Sequence, residues 1–321
     1  MTATPTIVRT NPLAVQISLT SIPNALETRI DLPRPDWAAI CDWVTANVAD
    51  DGLNDAWTKL ATQWVDQLIE ALPTGYSRRE SPEFVLLSNS DATTANRILR
   101  WCEDSRQVIL ETLSDVARDA GYGKHVVFAF HDTDTYYDYI ADIYPDAGEF
   151  ALSGGMFIDY GYGHFAICMA YSGEHDRTIA HELNHAFLRH LPLPLWLNEG
   201  VTQVIEDIVV DGSHFIVDHD TVRRHREYWN SESIHWFWSG DSFFSPDDGQ
   251  ELSYHLSQIL FRNLMSDYPK RVSDFLNTAN FVDAGNSALH DACGVSLGDR
   301  VAQFLGDGVW APHADYTEID A

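Results

Sequence analysis

The chain has 321 residues, 45% of them hydrophobic, and a formal net charge of −28 at pH 7. This length allows one large domain or two small ones with ample core, and the hydrophobic content is that of a globular protein rather than a disordered one. Because so many acidic residues would repel phosphate groups, the charge argues against nucleic acid as a partner and against binding to an anionic membrane.

The four cysteines, Cys41, Cys102, Cys168 and Cys293, lie far apart in the sequence. Their separation excludes C-x-x-C metal and redox motifs, and it favours buried free thiols over disulfides. The first residues have neither the basic nor the apolar segment of a signal peptide, and no run of eighteen apolar residues occurs. We therefore expect a soluble, cytoplasmic protein. The sequence does not predict its oligomeric state.

The N-terminal part, residues 1–80, is predicted to be an extension made of strands and two helices. Alternating and β-branched residues predict strands at Thr6–Arg9 and Ala14–Leu19. Helices are predicted over 36–49 and 53–72, where tryptophan and aliphatic residues recur at helical spacing. A tryptophan stripe of this kind is typical of a hydrophobic core rather than of a ligand site.

The next segment is predicted to contain a strand, a helix and a second strand. Residues 73–82, with two prolines and one glycine, predict a linker before it. Strands are predicted over Phe84–Ser88 and Val126–Phe130, with a long helix over Ala92–Ala120 between them. Such a unit favours neighbouring strands joined by a crossover helix. A short helix is predicted over Tyr136–Ile143.

Two short strands with a glycine-rich turn come next. Gly154–Asp159 and His164–Met169 have strand-like sequences, and Tyr160-Gly161-Tyr162-Gly163 between them predicts a turn. This element is either a plain hairpin or the rim of a cleft, to which an extended peptide adds as a further strand. The sequence leaves both interpretations open.

The segment His181-Glu182-Leu183-Asn184-His185 is the strongest functional signal in the chain. Neither glycine nor proline occurs from 174 to 191, and apolar residues recur there at helical spacing. On a helix, two histidines four residues apart lie on one face, so both imidazoles can bind one metal ion. A catalytic zinc site has three protein ligands and a water, and the glutamate beside the first histidine can take a proton from that water.

The third ligand is expected from the following helix. Pro192 and Pro194 end the first helix, and Leu195–Val209 predicts a second amphipathic helix with Glu199 in its first turns. A helix pair joined by a short reversal can bring Glu199 beside the two histidines. The alternative is an ordinary helix pair that carries two solvent-facing histidines and a surface glutamate.

The C-terminal part is predicted to be mainly helical. After a short strand at His214–Val217, helices are predicted over Thr221–Tyr228 and Leu252–Met265, separated by an aromatic, glycine-containing loop at Ile234–Phe244. Further short helices follow to about residue 306. Residues 311–321 are predicted to be an acidic tail with frayed structure.

The sequence H-E-L-N-H followed by P-L-W-L-N-E-G resembles the gluzincins, zinc metallopeptidases whose third ligand is a glutamate on the next helix, and more closely the peptidase MA-like family. The resemblance implies an α+β fold, with a zincin-like metallopeptidase domain over residues 81–310. It implies three ligands for Zn²⁺, namely His181, His185 and Glu199. It also implies that Glu182 is the general base and that the substrate is a peptide or protein.

Two further positions bear on this resemblance. Tyr254 matches a tyrosine in the family's corresponding helix, so we expect it to stabilise the oxyanion, with His255 as a second candidate. Tyr254 could equally be an aromatic residue of the core or rim. Some relatives have, four residues after the third ligand, an acidic residue that orients a ligand histidine; here Gln203 occupies that position. Glu206 and Asp207 on the same helix could take its place.

Other functions also fit the motif. A binding or scaffold protein could keep the fold without turnover, although the intact Glu182 argues against this. A zinc hydrolase could act on a bond other than a peptide bond. The remaining histidines show no mutual spacing for a second metal, and we expect surface or core positions for them. His164 is of interest because it begins the strand nearest the motif.

Overall fold

The computed structural model describes residues 17–29, 32–141, 154–170, 173–213 and 215–317. Within these ranges the protein has a mixed α+β fold with seven strands and twelve α-helices. The strand predicted at Thr6–Arg9 lies outside the described residues, as does the first half of the one predicted at Ala14–Leu19. Leu19 belongs to a short 3₁₀ helix, Leu19–Ser21.

The strands form two sheets. β1 (Leu26–Arg29) and β2 (Leu32–Pro35) pair antiparallel near the N-terminus. The main sheet contains β3 (Ser77–Glu80), β4 (Phe84–Ser88), β5 (His125–Phe130), β6 (Gly155–Ile158) and β7 (His164–Cys168). Across this sheet the order is β3-β4-β5-β7-β6. β4, β5 and β7 are parallel, while β3 and β6 run antiparallel to their neighbours at the two edges.

The helices cover both faces of the main sheet and make up most of the C-terminal half. They are α1 (Trp37–Asn47), α2 (Leu53–Ala71), α3 (Ala92–Thr112), α4 (Thr133–Ala141), α5 (His175–Leu188), α6 (Leu195–Val209), α7 (His219–Tyr228), α8 (Ser233–Ser239), α9 (Gly249–Asp267), α10 (Val272–Thr278), α11 (Asn286–Cys293) and α12 (Leu297–Leu305).

The central strands are buried on both faces, which explains their nearly continuous hydrophobic sequences. Because successive side chains of a strand point to opposite faces, each strand contributes to two cores. Val85 and Phe128 pack with α1 and α2 on one face, whereas Phe84 and Val127 pack with α3, α5, α6 and α9 on the other. The helix that carries the H-E-x-x-H motif, α5, lies on this second face.

The described part of the predicted extension, residues 1–80, shares a core with the described part of the predicted domain, residues 81–310. β3 pairs with β4, and Trp64 of α2 packs edge-on against Phe128 of β5 with ring centroids 5.2 Å apart. The segment predicted as a linker, 73–82, therefore contains a strand of the main sheet. Its mixed, charged sequence did not indicate a strand, because β3 is held by pairing with β4 rather than by its own burial pattern.

Three further element predictions differ from the structure. α3 ends at Thr112 instead of Ala120. The segment predicted as a loop, Ile234–Phe244, forms α8 and a short 3₁₀ helix, because its aromatic residues are buried on one side. The strand predicted at His214–Val217 is not formed by residues 215–217; His214 lies outside the described residues.

The C-terminal segment packs on the protein as far as it is described. Tyr316, within the predicted acidic tail of residues 311–321, is buried, and its backbone N–H donates to the carbonyl of Val282 at 2.8 Å. Residues 318–321 lie outside the described residues. Among the described helices, none has both the length and the apolar character needed to cross a bilayer.

Candidate metal centre

The two motif histidines are presented by α5, whose opposite side is buried. Ile179, Leu183 and Phe187 recur at helical spacing and are almost completely inaccessible to solvent in the core. This burial fixes the rotation of the helix about its axis. His181 and His185, one turn apart, therefore lie together on the side that faces α6, as the four-residue spacing predicts.

The structure brings His181, His185 and Glu199 together. The Nε2 atoms of the two histidines are 3.1 Å apart, and each lies 3.5 Å from one carboxylate oxygen of Glu199. One ligand atom from each residue lies within 4.8 Å of the others, which is the spacing needed to hold one ion. The alternative of separate surface residues on an ordinary helix pair does not fit this arrangement.

Close packing of α6 against α9 positions Glu199. Gly200, the next residue, lies so near α9 that a Cβ atom there would be 2.7 Å from the carbonyl oxygen of Ser257. Only glycine allows the two helices to approach this closely without a shift of the backbone. The W-L-N-E-G sequence thus places the third candidate ligand next to the glycine that lets its helix pack closely against α9.

The hydrogen bonds of the two histidines indicate which nitrogen faces the centre. His181 Nδ1 lies 2.7 Å from Glu206 Oε2, and His185 Nδ1 lies 3.2 Å from Asn198 Oδ1. Since carboxylate and amide oxygens are acceptors, both Nδ1 atoms donate. When the rings are neutral, both Nε2 atoms therefore direct lone pairs at each other and at Glu199. Such a donor set is stabilised by a cation at its centre.

A buried oxygen of Glu199 supports the same conclusion. Glu199 is 7% exposed, and its Oε2 has no hydrogen-bond partner among the described residues, although it faces His181. Burial would raise the pKa of this carboxyl, but the neighbouring His185 and His181 lower it. A buried, ionised oxygen without a donor is costly unless it binds a cation. The residues present therefore fit a metal ion with two imidazole ligands and one carboxylate ligand.

His181 is held in a strongly negative environment. Burial alone would lower its pKa, but Glu199 and Glu206 outweigh this effect and raise the pKa well above 6.5. The two carboxylates thus favour positive charge at His181, whether as a proton or as a bound metal ion.

Glu182 lies between α5 and the edge strand β6. It is 6% exposed, and a Cβ atom at Gly155 of β6 would lie 3.1 Å from Glu182 Oε1. Burial raises the pKa of Glu182, while the nearby His181 and His185 oppose the rise. A carboxyl with a raised pKa beside a metal centre is a stronger proton acceptor than an exposed one.

Glu206 is the acidic residue that hydrogen-bonds the candidate ligand His181. It lies seven residues after Glu199, and Arg177 Nη1 contacts both Glu206 Oε1 at 3.1 Å and Asp207 Oδ1 at 2.5 Å. Asp207 Oδ2 in turn accepts from Gln258 and Arg262. The carboxylate that holds His181 is therefore itself held by a partly buried ion-pair network.

Gln203 has a different role from the acidic residue found at its position in some relatives. Its side-chain amide donates to the backbone carbonyls of Glu199 and Tyr254 at 3.2 and 3.0 Å. It thus ties α6 to α9 and leaves the orientation of the histidines to Glu206 and Asn198. The sequence suggested Glu206 only as one of two possibilities, because the helical rotation that decides between them comes from tertiary packing.

Tyr254 of α9 lies within the electrostatic range of the candidate site, whereas the charged neighbours of His255 lie elsewhere. Glu199 and Glu182 are close enough to raise the pKa of Tyr254 further, beyond the rise that burial causes. The Tyr254 ring packs edge-on against Phe243 with centroids 5.2 Å apart. His255 instead stacks on Phe215, and its charged neighbours are Glu251 and Arg224.

His164 is a core residue. It is 4% exposed; its Nδ1 donates to the carbonyl of Tyr162 at 2.8 Å, and its Nε2 accepts from the hydroxyl of Tyr139 at 2.6 Å. Both nitrogens are thus satisfied in the neutral form, and burial lowers the pKa to about 4, with the charge of Arg34 adding to the effect.

We expect His164 to make the fold acid-sensitive. Because the unfolded chain binds a proton near pH 6.5 and the folded chain only near pH 4, this residue's contribution is complete above pH 6.5 and falls as the pH is lowered toward 4. The difference corresponds to about 3 kcal/mol of unfolding free energy. Urea unfolding with a chelator present measures the free energy of unfolding at each pH. Between pH 6.5 and pH 4, the wild type should lose more of this free energy than His164→Gln. Equal pH dependence in the two proteins would contradict it.

The comparisons with known proteins do not assign this chain. No protein-family model matches it. A search of the curated proteins also finds no match. The support for a function is therefore the motif and the geometry of the site.

Proposed function

We propose that the protein is a zinc-dependent metallopeptidase with a zincin-like fold, of the gluzincin type and related to the peptidase MA-like family. The convergence of His181, His185 and Glu199 around one point, with both Nε2 atoms turned inward, is the observation that carries this proposal. Two imidazoles and one carboxylate are a typical ligand set of catalytic zinc in peptidases.

Zinc at this site would lower the pKa of a water molecule and polarise the carbonyl of the substrate. With the ion bound, Glu182 would accept a proton from the attacking water and donate it to the leaving nitrogen. Its burial and raised pKa suit both steps, because the same carboxyl has to take up the proton and then release it. The resulting reaction is hydrolysis of a peptide bond.

Tyr254 is proposed to donate its phenolic proton in a hydrogen bond to the developing oxyanion. Its pKa is raised, so the hydroxyl keeps its proton at neutral pH and remains a donor. Glu206 and Asn198 are positioning residues: they hold His181 and His185 in the tautomer and orientation that expose Nε2.

The edge strand β6 supports peptide rather than small-molecule binding. Among the described strands it is the last of the main sheet on its side, and its residue Gly155 packs directly against Glu182. An extended peptide added alongside β6 would therefore pass the general base. This favours the cleft-rim interpretation of the hairpin and the peptide bond as the bond that is cleaved.

Metal analysis followed by peptide cleavage tests the proposed function. We expect about one zinc per chain after purification or reconstitution, cleavage of peptides from a randomised pool, and loss of cleavage with a chelator. Zinc without cleavage of any peptide would favour a scaffold or a hydrolase of another bond. Absence of zinc even after reconstitution would contradict the whole proposal.

Replacement of the proposed oxyanion donor should affect turnover more than binding. For Tyr254→Phe we expect kcat to fall about 100-fold, because one hydrogen bond is lost mainly in the transition state. KM and zinc content should change little. Steady-state kinetics on a peptide identified from the pool measures this, with Tyr228→Phe as the matched control at a tyrosine that hydrogen-bonds Asp247. An unchanged kcat would mean that Tyr254 does not stabilise the oxyanion and is only an aromatic residue of the core or rim.

A further inference from the structure

A large cavity lies between the N-terminal helices and the far end of the metal-binding helix. Its volume is about 600 Å³, within the range of ligand pockets. Trp37 of α1, Trp57 of α2 and Phe157 of β6 are among the residues that line it. Ala186 and Arg189, at the C-terminal end of α5, also line it.

The cavity lies near the candidate metal centre along both α5 and β6, since each of these elements contributes a lining residue. Ala186 follows the ligand His185, and it lies one helical turn after Glu182. Phe157 lies two residues after Gly155, the β6 residue that packs on Glu182. Two residues of extended chain span about 7 Å. Consider a substrate peptide that pairs with β6 and has its cleaved bond beside Glu182. The side chain two or three residues from that bond would then lie in the cavity.

The walls favour an aromatic occupant. Trp37, Trp57 and Tyr162 already pack against one another, with ring centroids 5.3 to 6.3 Å apart. The guanidinium of Arg189 lies 6.0 Å from the Phe157 ring. Aromatic rings and a guanidinium plane bind a further ring by edge-to-face, stacking and cation–π contacts.

Arg189 is only loosely engaged by other charges. Its nearest carboxylate, Asp159, lies 3.4 Å away and is itself 61% exposed. The other basic residues of the cavity wall have closer acidic partners: Lys124 Nζ lies 2.9 Å from Glu80, and His125 Nε2 lies 2.9 Å from Asp119. Arg189 can therefore turn its planar face to a ligand without breaking a buried ion pair.

We propose that this cavity is a substrate subsite for an aromatic side chain located two or three residues from the cleaved bond. The proposal rests on the proposed metallopeptidase function for the position of that bond. It gives α1 and α2 a role in substrate selection, because the two tryptophans of the wall come from the N-terminal extension.

A binding experiment tests the cavity without requiring turnover. Cys41 is exposed and lines the cavity, so its alkylation by iodoacetamide reports on occupancy. In the Glu182→Gln protein, millimolar N-acetyl-phenylalaninamide should slow alkylation of Cys41 at least threefold, and N-acetyl-alaninamide should not. Alkylation of the half-buried Cys293, outside the cavity, should not change. Equal effects of the two compounds on Cys41 would overturn the proposal.

A matched pair of variants on α1 locates the effect. Ala38 and Ala46 are both exposed on this helix, but only Ala38 lines the cavity. Ala38→Trp should occupy the cavity and abolish the protection, while Ala46→Trp should leave it intact. In the active protein, Ala38→Trp should reduce kcat/KM about 10-fold for a peptide with phenylalanine at the selected position, but not for its alanine analogue.

The outcomes separate this inference from the proposed function. Protection of Cys41 by the aromatic probe, without cleavage of any peptide, would support an aromatic site and overturn the peptidase proposal. Cleavage without a preference for an aromatic side chain would overturn the subsite but not the peptidase proposal. An equal loss of kcat/KM for the phenylalanine and alanine peptides in Ala38→Trp would have the same meaning.

Discussion

Glu182→Gln should reduce kcat by about 10³- to 10⁴-fold while zinc content and folding stay unchanged. The amide is nearly isosteric with the carboxyl, so the packing of Gly155 on this side chain is preserved. What is lost is the proton acceptor, and general acid–base catalysis contributes up to about this factor. Single-turnover cleavage of a selected peptide, together with metal analysis of the same sample, measures both effects.

Glu227→Gln is the matched control for this change. Glu227 is an exposed residue of α7, and its replacement alters the net charge equally. We expect its activity to remain within twofold of the wild type. If Glu182→Gln retained full activity, Glu182 would not be the general base. If neither protein cleaved any peptide, the site would bind metal in a protein without peptidase turnover.

Zinc affinity should fall in a graded manner when the ligand and its supporting residues are replaced. Residues that hold a ligand histidine typically contribute 10- to 100-fold in affinity, so Glu206→Gln should weaken zinc binding by about this amount. Glu199→Gln removes a direct ligand and should weaken binding by more than about 100-fold, because two imidazoles alone remain. Competition with a chromophoric chelator gives both constants, again with Glu227→Gln as the control.

The order of these two effects is the informative result. A larger loss for Glu206→Gln than for Glu199→Gln would mean that Glu206 binds the ion and Glu199 does not. No loss for Glu206→Gln would mean that its contact with His181 Nδ1, at 2.7 Å, does not orient the ligand. Thermal unfolding of each protein without metal shows whether the fold itself has changed.

The position of α1 and α2 bears on the role of the N-terminal extension. Both helices pack on the face of the sheet opposite α5, and residues of α1, α2 and α5 meet around the cavity. An effect of this region on activity should therefore appear as a change in substrate preference. It should not appear as a change in metal affinity.

Much of the local structure could be predicted from the sequence. The bounds of α6 and of β4 agree with the prediction, because a complete apolar stripe or a continuous hydrophobic run determines them. The three candidate ligands could also be found, since four-residue helical spacing and a proline reversal are local features. β3 and α8 were predicted wrongly, because their formation depends on a neighbouring strand and on buried aromatic contacts.

The chain by itself determined which residues are able to bind a metal and that two of them share a helical face. Tertiary structure decided what surrounds them. Whether Glu206 or Asp207 holds His181 depends on the rotation of α6, which close packing at Gly200 sets. The aromatic cavity joins residues more than a hundred positions apart. No periodicity encodes such a contact, because it arises only when separate elements pack on one sheet.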